Sequence, residues 1–191
     1  GLEMSSMQRN NYQKESNKKL WLYDSSVAGG EDDDLLTGKG EYVHNGKTIK
    51  YDTEAQNNVL IIQENNWGGP DDNVGGMMKF DFTDTNDAGE EVGVLFDSIG
   101  LLDFDEKKLP QFMVKFVGQD ELIKFKFNEK DKKIVKQAGE GNSEVLTLAN
   151  HKYVTQMTRQ RATETKKNKT KATDDNSLRE YNFDFGGQRV S

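Results

Sequence analysis

Cysteine is absent, so the chain has no disulfide, no thiolate metal ligand and no cysteine nucleophile. Histidine occurs twice, at His44 and His151. They are too far apart in sequence for a zinc motif, and neither sits near a nucleophile elbow that would complete a Ser-His-Asp arrangement. Each reads as an exposed turn residue. Proline also occurs twice, at Pro70 and Pro110, and neither interrupts a strand-like run. No apolar run approaches the roughly 18 residues that a membrane-spanning helix needs, which speaks against membrane insertion, and no signal peptide is evident. The opening Gly1 to Met7 reads as a vector-derived remnant, so a native leader would lie upstream of it.

Apolar residues are modest at 33%, against 31% charged, in a chain of 191 residues. That length suits one domain with appendages and a sparing core. A net charge of -7 argues against a general affinity for nucleic-acid phosphates.

The periodicity that is present is two. Residues 1–18 are polar and aperiodic and read as a disordered lead-in. Leu20 to Tyr23 form a short strand, with Trp21 expected in the core or packed on a sheet face. Val59 to Gln63 suits a central strand, while Met78, Phe80 and Phe82, and then Val92, Val94 and Phe96, alternate with other residues. Phe112, Val114 and Phe116 face one way, as do Ile123, Phe125 and Phe127, and Gly118-Gln119-Asp120 joins the two runs, which predicts a hairpin. Val145 to Leu148, Tyr153 to Met157 and Leu178 to Phe185 complete nine or ten strands. The expected fold is an all-β antiparallel sandwich of jelly-roll type over residues 19–186, with 187–191 as a tail. Residues 159–173 are strongly basic and read as a loop insertion between the last two strands. The segment is either a solvated, mobile loop or a patch for a polyanion.

Acidic residues gather in the expected loops. Asp24, Asp32, Asp34, Glu64, Asp71 and Asp72 lie at strand ends or between strands, with Asp184 as a further candidate from the last strand. Calcium takes six to eight oxygens, and glycine-bent loops can present several carboxylates to one ion. Equally, Asp is a common turn former. Asp84, Asn86 and Gly89 begin like a calcium-binding helix-loop-helix motif, but Ala88 offers no side-chain ligand and Leu95 stands where the bidentate glutamate belongs. Trp67, flanked by Asn66 and close to Asn73, is either a lid on the sandwich end or a platform for a sugar ring.

The order of these segments resembles a domain of extracellular proteins from marine and other bacteria and some algae. The resemblance rests on Leu22-Tyr23-Asp24-Ser25-Ser26 with Gly29-Gly30 and Asp32 to Leu35, Asn58 to Glu64, Pro70 to Asn73 with Gly75-Gly76, Phe80-Asp81-Phe82, and Ser98 to Glu106. It implies an extracellular or cell-surface location more firmly than an activity. Calcium is the expected cofactor, in a non-catalytic module for surface adhesion or glycan recognition. Alternatives are a self-associating component of a shell, envelope or virion, and a jelly-roll enzyme acting on polysaccharide through paired acids such as Asp103 and Asp105. The expected partners are a polysaccharide or surface glycan, or further copies of the chain.

Overall fold

The computed structural model describes residues 2–8, 11–15, 18–27, 33–62, 76–82, 85–103, 110–126, 137–138, 143–147 and 151–191. Among them lie fourteen β-strands and one 3₁₀ turn. The strands are β1 (Leu2–Gln8), β2 (Asn11–Glu15), β3 (Leu20–Asp24), β4 (Lys39–His44), β5 (Lys47–Asp52), β6 (Asn58–Ile62) and β7 (Met77–Phe82). There follow β8 (Ser98–Leu102), β9 (Gln111–Lys115), β10 (Leu122–Lys126), β11 (Gln137–Ala138), β12 (Ser143–Thr147), β13 (Val154–Lys166) and β14 (Lys169–Phe183). Every pairing between them is antiparallel. A seven-stranded sheet runs β11-β12-β13-β14-β8, with β5 on the far stretch of β13 and β4 beyond β5; it curls as a half-barrel. The smaller sheets are β2-β1-β7, β9-β10 and β3-β6.

The backbone of the large sheet is the β13–β14 hairpin. Residues 152–185 contain neither glycine nor proline and are rich in threonine, so nothing interrupts extended backbone over a long stretch. The strands reverse at Lys167 and Asn168, with φ of 49° and 63°, the left-handed pair a two-residue I′ turn demands. The basic segment 159–173 is therefore hairpin, where the sequence reading had a loop. Its lysines do not repel the strands apart because backbone pairing with β5 holds β13 on its other side and Glu164 binds one of them, Lys171, together with Lys47 of β5.

Two other readings change. The lead-in contains β1 and β2, and β1 pairs along β7 from Leu2↔Phe82 to Met7↔Met77. A backbone ladder needs no apolar period of its own, which is why composition concealed it. Val92 to Phe96 does not form a strand: Gly93 turns the chain at φ 60°, and a Cβ there would strike Val117 and the Val190 carbonyl. Val94 instead exchanges bonds of 2.9 and 2.8 Å with Val190. Residues 187–191 are thus stitched in, with Val117 N donating to Arg189 O and Ser191 N to Lys115 O.

The main core forms where the β9–β10 hairpin lies on β14. Phe112 and Phe125 are cross-strand partners, and Phe112 meets Phe183 edge-on at 5.2 Å. Phe183 stacks on Phe185 at 5.5 Å, and Phe125 contacts Tyr153 at 5.1 Å. Phe116, Val154 and Tyr181 are fully enclosed beside them. A second, smaller cluster joins Leu36, Ile49, Tyr51 and Ala162. Trp21 belongs to neither: it is 47% exposed on β3, although its partner Ile61 is buried.

Candidate functional site

The described ends of the loop between β3 and β4 are anchored by a set of buried polar contacts. Ser25 is fully buried: its Oγ donates to the Asn57 carbonyl at 2.9 Å and lies 2.8 Å from Thr37 Oγ1, while Thr37 N donates to Ser25 O at 2.9 Å. Gln56 N donates to Thr37 Oγ1 at 3.0 Å, so three chain segments meet at one polar knot. Further along, the 3₁₀ turn Asp33–Leu35 sinks Leu35, and Leu36 enters the smaller core. Asn176, buried at the centre of β14, donates through Nδ2 to the carbonyls of Asp33 and Leu36 at 2.7 and 3.0 Å and accepts from the Tyr42 hydroxyl at 2.9 Å. It takes φ 55°, a left-handed conformation that asparagine tolerates better than most residues. The loop is therefore pinned at both ends before any ligand is considered.

Asp24, the last residue of β3, leads into this anchored loop, and Asp34 lies within it. Asp24 Oδ1 accepts from Ser26 Oγ at 2.6 Å and from Ser26 N at 2.9 Å, and these bonds hold its carboxyl below the usual aspartate range. Asp34 is different: its Oδ1 is buried and has no hydrogen-bond partner among the described residues. A desolvated carboxylate oxygen without a donor is costly, so it needs a partner. Asp184 lies elsewhere. It is eight residues beyond Asn176 along β14, roughly 25 Å at the rise of an extended strand, and its Oδ1 caps a turn by accepting from Gly186 N at 2.8 Å. The structure does not bring Asp184 to the 33–36 turn.

Asp32, Glu64, Asn66, Trp67, Asp71, Asp72 and Asn73 lie outside the described residues. Among the described residues, no three His, Cys, Asp or Glu side chains gather as a metal set.

The histidines do separate things. His44 is exposed at the end of β4. His151 accepts at Nδ1 from the Tyr153 and Val154 amides at 3.1 and 2.9 Å, so its proton sits on Nε2, which faces the Lys126 carbonyl at 3.3 Å. It caps the start of β13 and is a fold element. The Asn86 segment closes on itself, with Asn86 Oδ1 accepting from Ala88 N and Glu90 N.

Sequence reasoning missed the residues that build the loop: Ser25, Thr37, Asn57 and Asn176. None of them carried a signal in the sequence; Asn176 falls between the basic segment and the Leu178 run, where an asparagine is unremarkable. Three residues further along β14, Arg179 is buried at 3% exposed and lies beside Tyr181, whose phenol burial pushes upward while Arg179 and Arg159 partly oppose. A scan of protein-family models, a search of curated proteins and a search of solved structures each returned no match.

Proposed function

We propose that this chain is a non-catalytic binding module, a sandwich of jelly-roll type that carries calcium on the β3–β4 loop and works outside the cell in surface adhesion or glycan recognition. The observation that carries the metal is the buried Asp34 Oδ1, an acceptor with no described donor on a loop that Ser25, Thr37 and Asn176 already hold in place. A hard cation suits an oxygen that no N–H reaches. Asp24, at the end of β3 where the loop begins, has its carboxyl lowered by Ser26 and keeps a second oxygen to contribute. Asp32, Glu64, Asp71 and Asp72 enter the ligand set on sequence alone, and Asp184 leaves it because of its distance along β14. The location and the recognition role rest on the resemblance in segment order.

Calcium that binds only the folded form raises stability by about 2.7 kcal/mol at a hundredfold excess over its dissociation constant. Isothermal titration with calcium, on wild type and on Asp34→Asn, tests the reading: wild type should bind and the variant should bind at least tenfold more weakly. Equal binding by both, or none by wild type, rejects the β3–β4 loop as the site. For recognition, a glycan array comparing wild type with Trp67→Ala should show binding that depends on the tryptophan; unaffected binding assigns Trp67 to a lid.

Exposed Trp21 and Leu22 on β3, which pairs only with β6 among the described strands, favour self-association as a second reading. An edge strand with large apolar side chains is a template for a second copy. Light scattering across a concentration series should then show a dimer that Trp21→Ser dissolves, and a monomer at all concentrations removes this reading.

A further inference from the structure

The far end of the large sheet gathers the opposite charge to the rest of the molecule. Between residues 162 and 173 there are four lysines and one glutamate, in a chain whose net charge is -7. Strand register decides where they point. Glu164 is level with Ile49 on β5 and Lys171 on β14, and Lys166 is level with Lys169. Residues level across antiparallel strands share a face, and so do residues two apart along one strand. Glu164, Lys171, Lys166 and Lys169 therefore stand together, joined from β5 by Lys47. Lys47 Nζ reaches Glu164 Oε2 at 2.8 Å, and Lys171 Nζ reaches Glu164 Oε1 at 2.9 Å.

The glutamate side chain is only 8% exposed, while that of Lys171 is 71% exposed. One sunken carboxylate thus fixes two ammoniums in position and still leaves the surface cationic. Lys166 and Lys169 form the next row outward, and His44, paired with Lys47, extends it onto β4. At the usual strand spacing this row crosses four strands in about 14 Å.

We infer that this face binds a linear anionic polysaccharide, sulfated or uronic. The three lysines of the row, Lys169, Lys166 and Lys47, offer point charges in a straight line at one-strand intervals, comparable to the length of a sugar ring that bears one acidic group. Nucleic acid fits the face less well. Single strands are held by aromatic stacking, and among the described residues the tyrosines of this face are Tyr51, which is buried, and Tyr42, which is half-buried with its hydroxyl committed to Asn176. A duplex is broad and charged about every 1.7 Å, and would bring its backbone against the acidic remainder of the protein. The site is separate from the calcium loop and does not depend on it.

The test is titration of the full chain with heparin and with polygalacturonate, each at several salt concentrations and with and without chelator. Wild type should bind at least one of them with strong salt dependence, and chelator should not change it. Lys166→Gln/Lys169→Gln should weaken binding at least tenfold and flatten the salt slope by one to two counterions' worth, on the order of 0.9 each. Lys166→Arg/Lys169→Arg should retain binding, which controls for folding of the hairpin, and Lys124→Gln/Lys126→Gln on β10 should bind within twofold of wild type. No binding of either polymer by wild type overturns the inference, as does an equal loss in the β10 variant. Loss of binding on chelation would assign the polymer to the calcium loop instead. Tighter binding of oligodeoxythymidine or duplex DNA than of either polysaccharide would replace the proposed occupant.

Discussion

Asn176 shows how much one side chain can organise. Its amide satisfies two carbonyls of the 33–36 turn and receives the Tyr42 hydroxyl, while its backbone occupies left-handed space. Asn176→Ala should cost about 2–4 kcal/mol, because it strands buried polar groups and places a Cβ at positive φ. Asn176→Gly relieves only the backbone part, so in urea titrations it should recover less than half of the loss. Tyr181 gives a second residue-scale test. Burial raises its phenol above its ordinary value of 10.0, Arg179 and Arg159 lowering it only in part. The folded state thus holds that proton more tightly than the unfolded state. Its contribution is complete below pH about 10 and fades as pH climbs through the raised value. Tyrosinate absorbance should show one late-ionising group that Tyr181→Phe removes. At this scale the sequence was least legible: Ser25, Thr37 and Asn176 are ordinary polar letters until the fold brings them together, whereas Asp24 and Asp34 stood out by charge.

At the scale of elements, alternation found the strands wherever one face is buried. The β9–β10 hairpin is where Phe112 and Ile123 place it, and β3, β6 and β7 fall within a residue or two of their apolar runs. It failed where pairing, not burial, makes the strand. β1 and the outer half of β13–β14 have no apolar stripe, and the lysines around residue 167 looked like a solvated loop because charge repulsion is visible in sequence and a backbone ladder is not. Asn168→Gly puts the favoured residue at a left-handed turn position. It should raise stability by a few tenths to about 1 kcal/mol, read as a higher denaturation midpoint. Glu164 supplies the pH dependence of the same arm. Its bonds to Lys47 and then Lys171 lower its carboxyl below 4.5, so its contribution is present above that value and is lost as pH falls through the lowered one. Glu164→Gln should therefore be less stable than wild type at neutral pH, with the gap closing in acid; a gap that is constant from pH 7 to pH 3 would show that the ion pairs do not stabilise the arm.

Across the whole molecule, the sheets separate two kinds of surface. An aromatic core lies where β9, β10 and β14 meet, with the last residues stitched over it by Val190. Further along β14, Asn176 fixes the acidic loop, and the end of the hairpin bears the cationic face. The all-β class was legible because period two dominates the chain, but the curl of a seven-stranded sheet and the sharing of β13 between β12 and β5 were not, since they depend on register over long separations. The metal reading centres on the anchored loop and on the buried Asp34 oxygen, which has no donor among the described residues. Thermal melting of the full chain with excess calcium and with excess chelator, run beside Asp34→Asn, tests it most directly. Wild type should melt several degrees higher with calcium than with chelator, and the variant should show no such shift. Coincident melting curves for wild type in calcium and in chelator would contradict it.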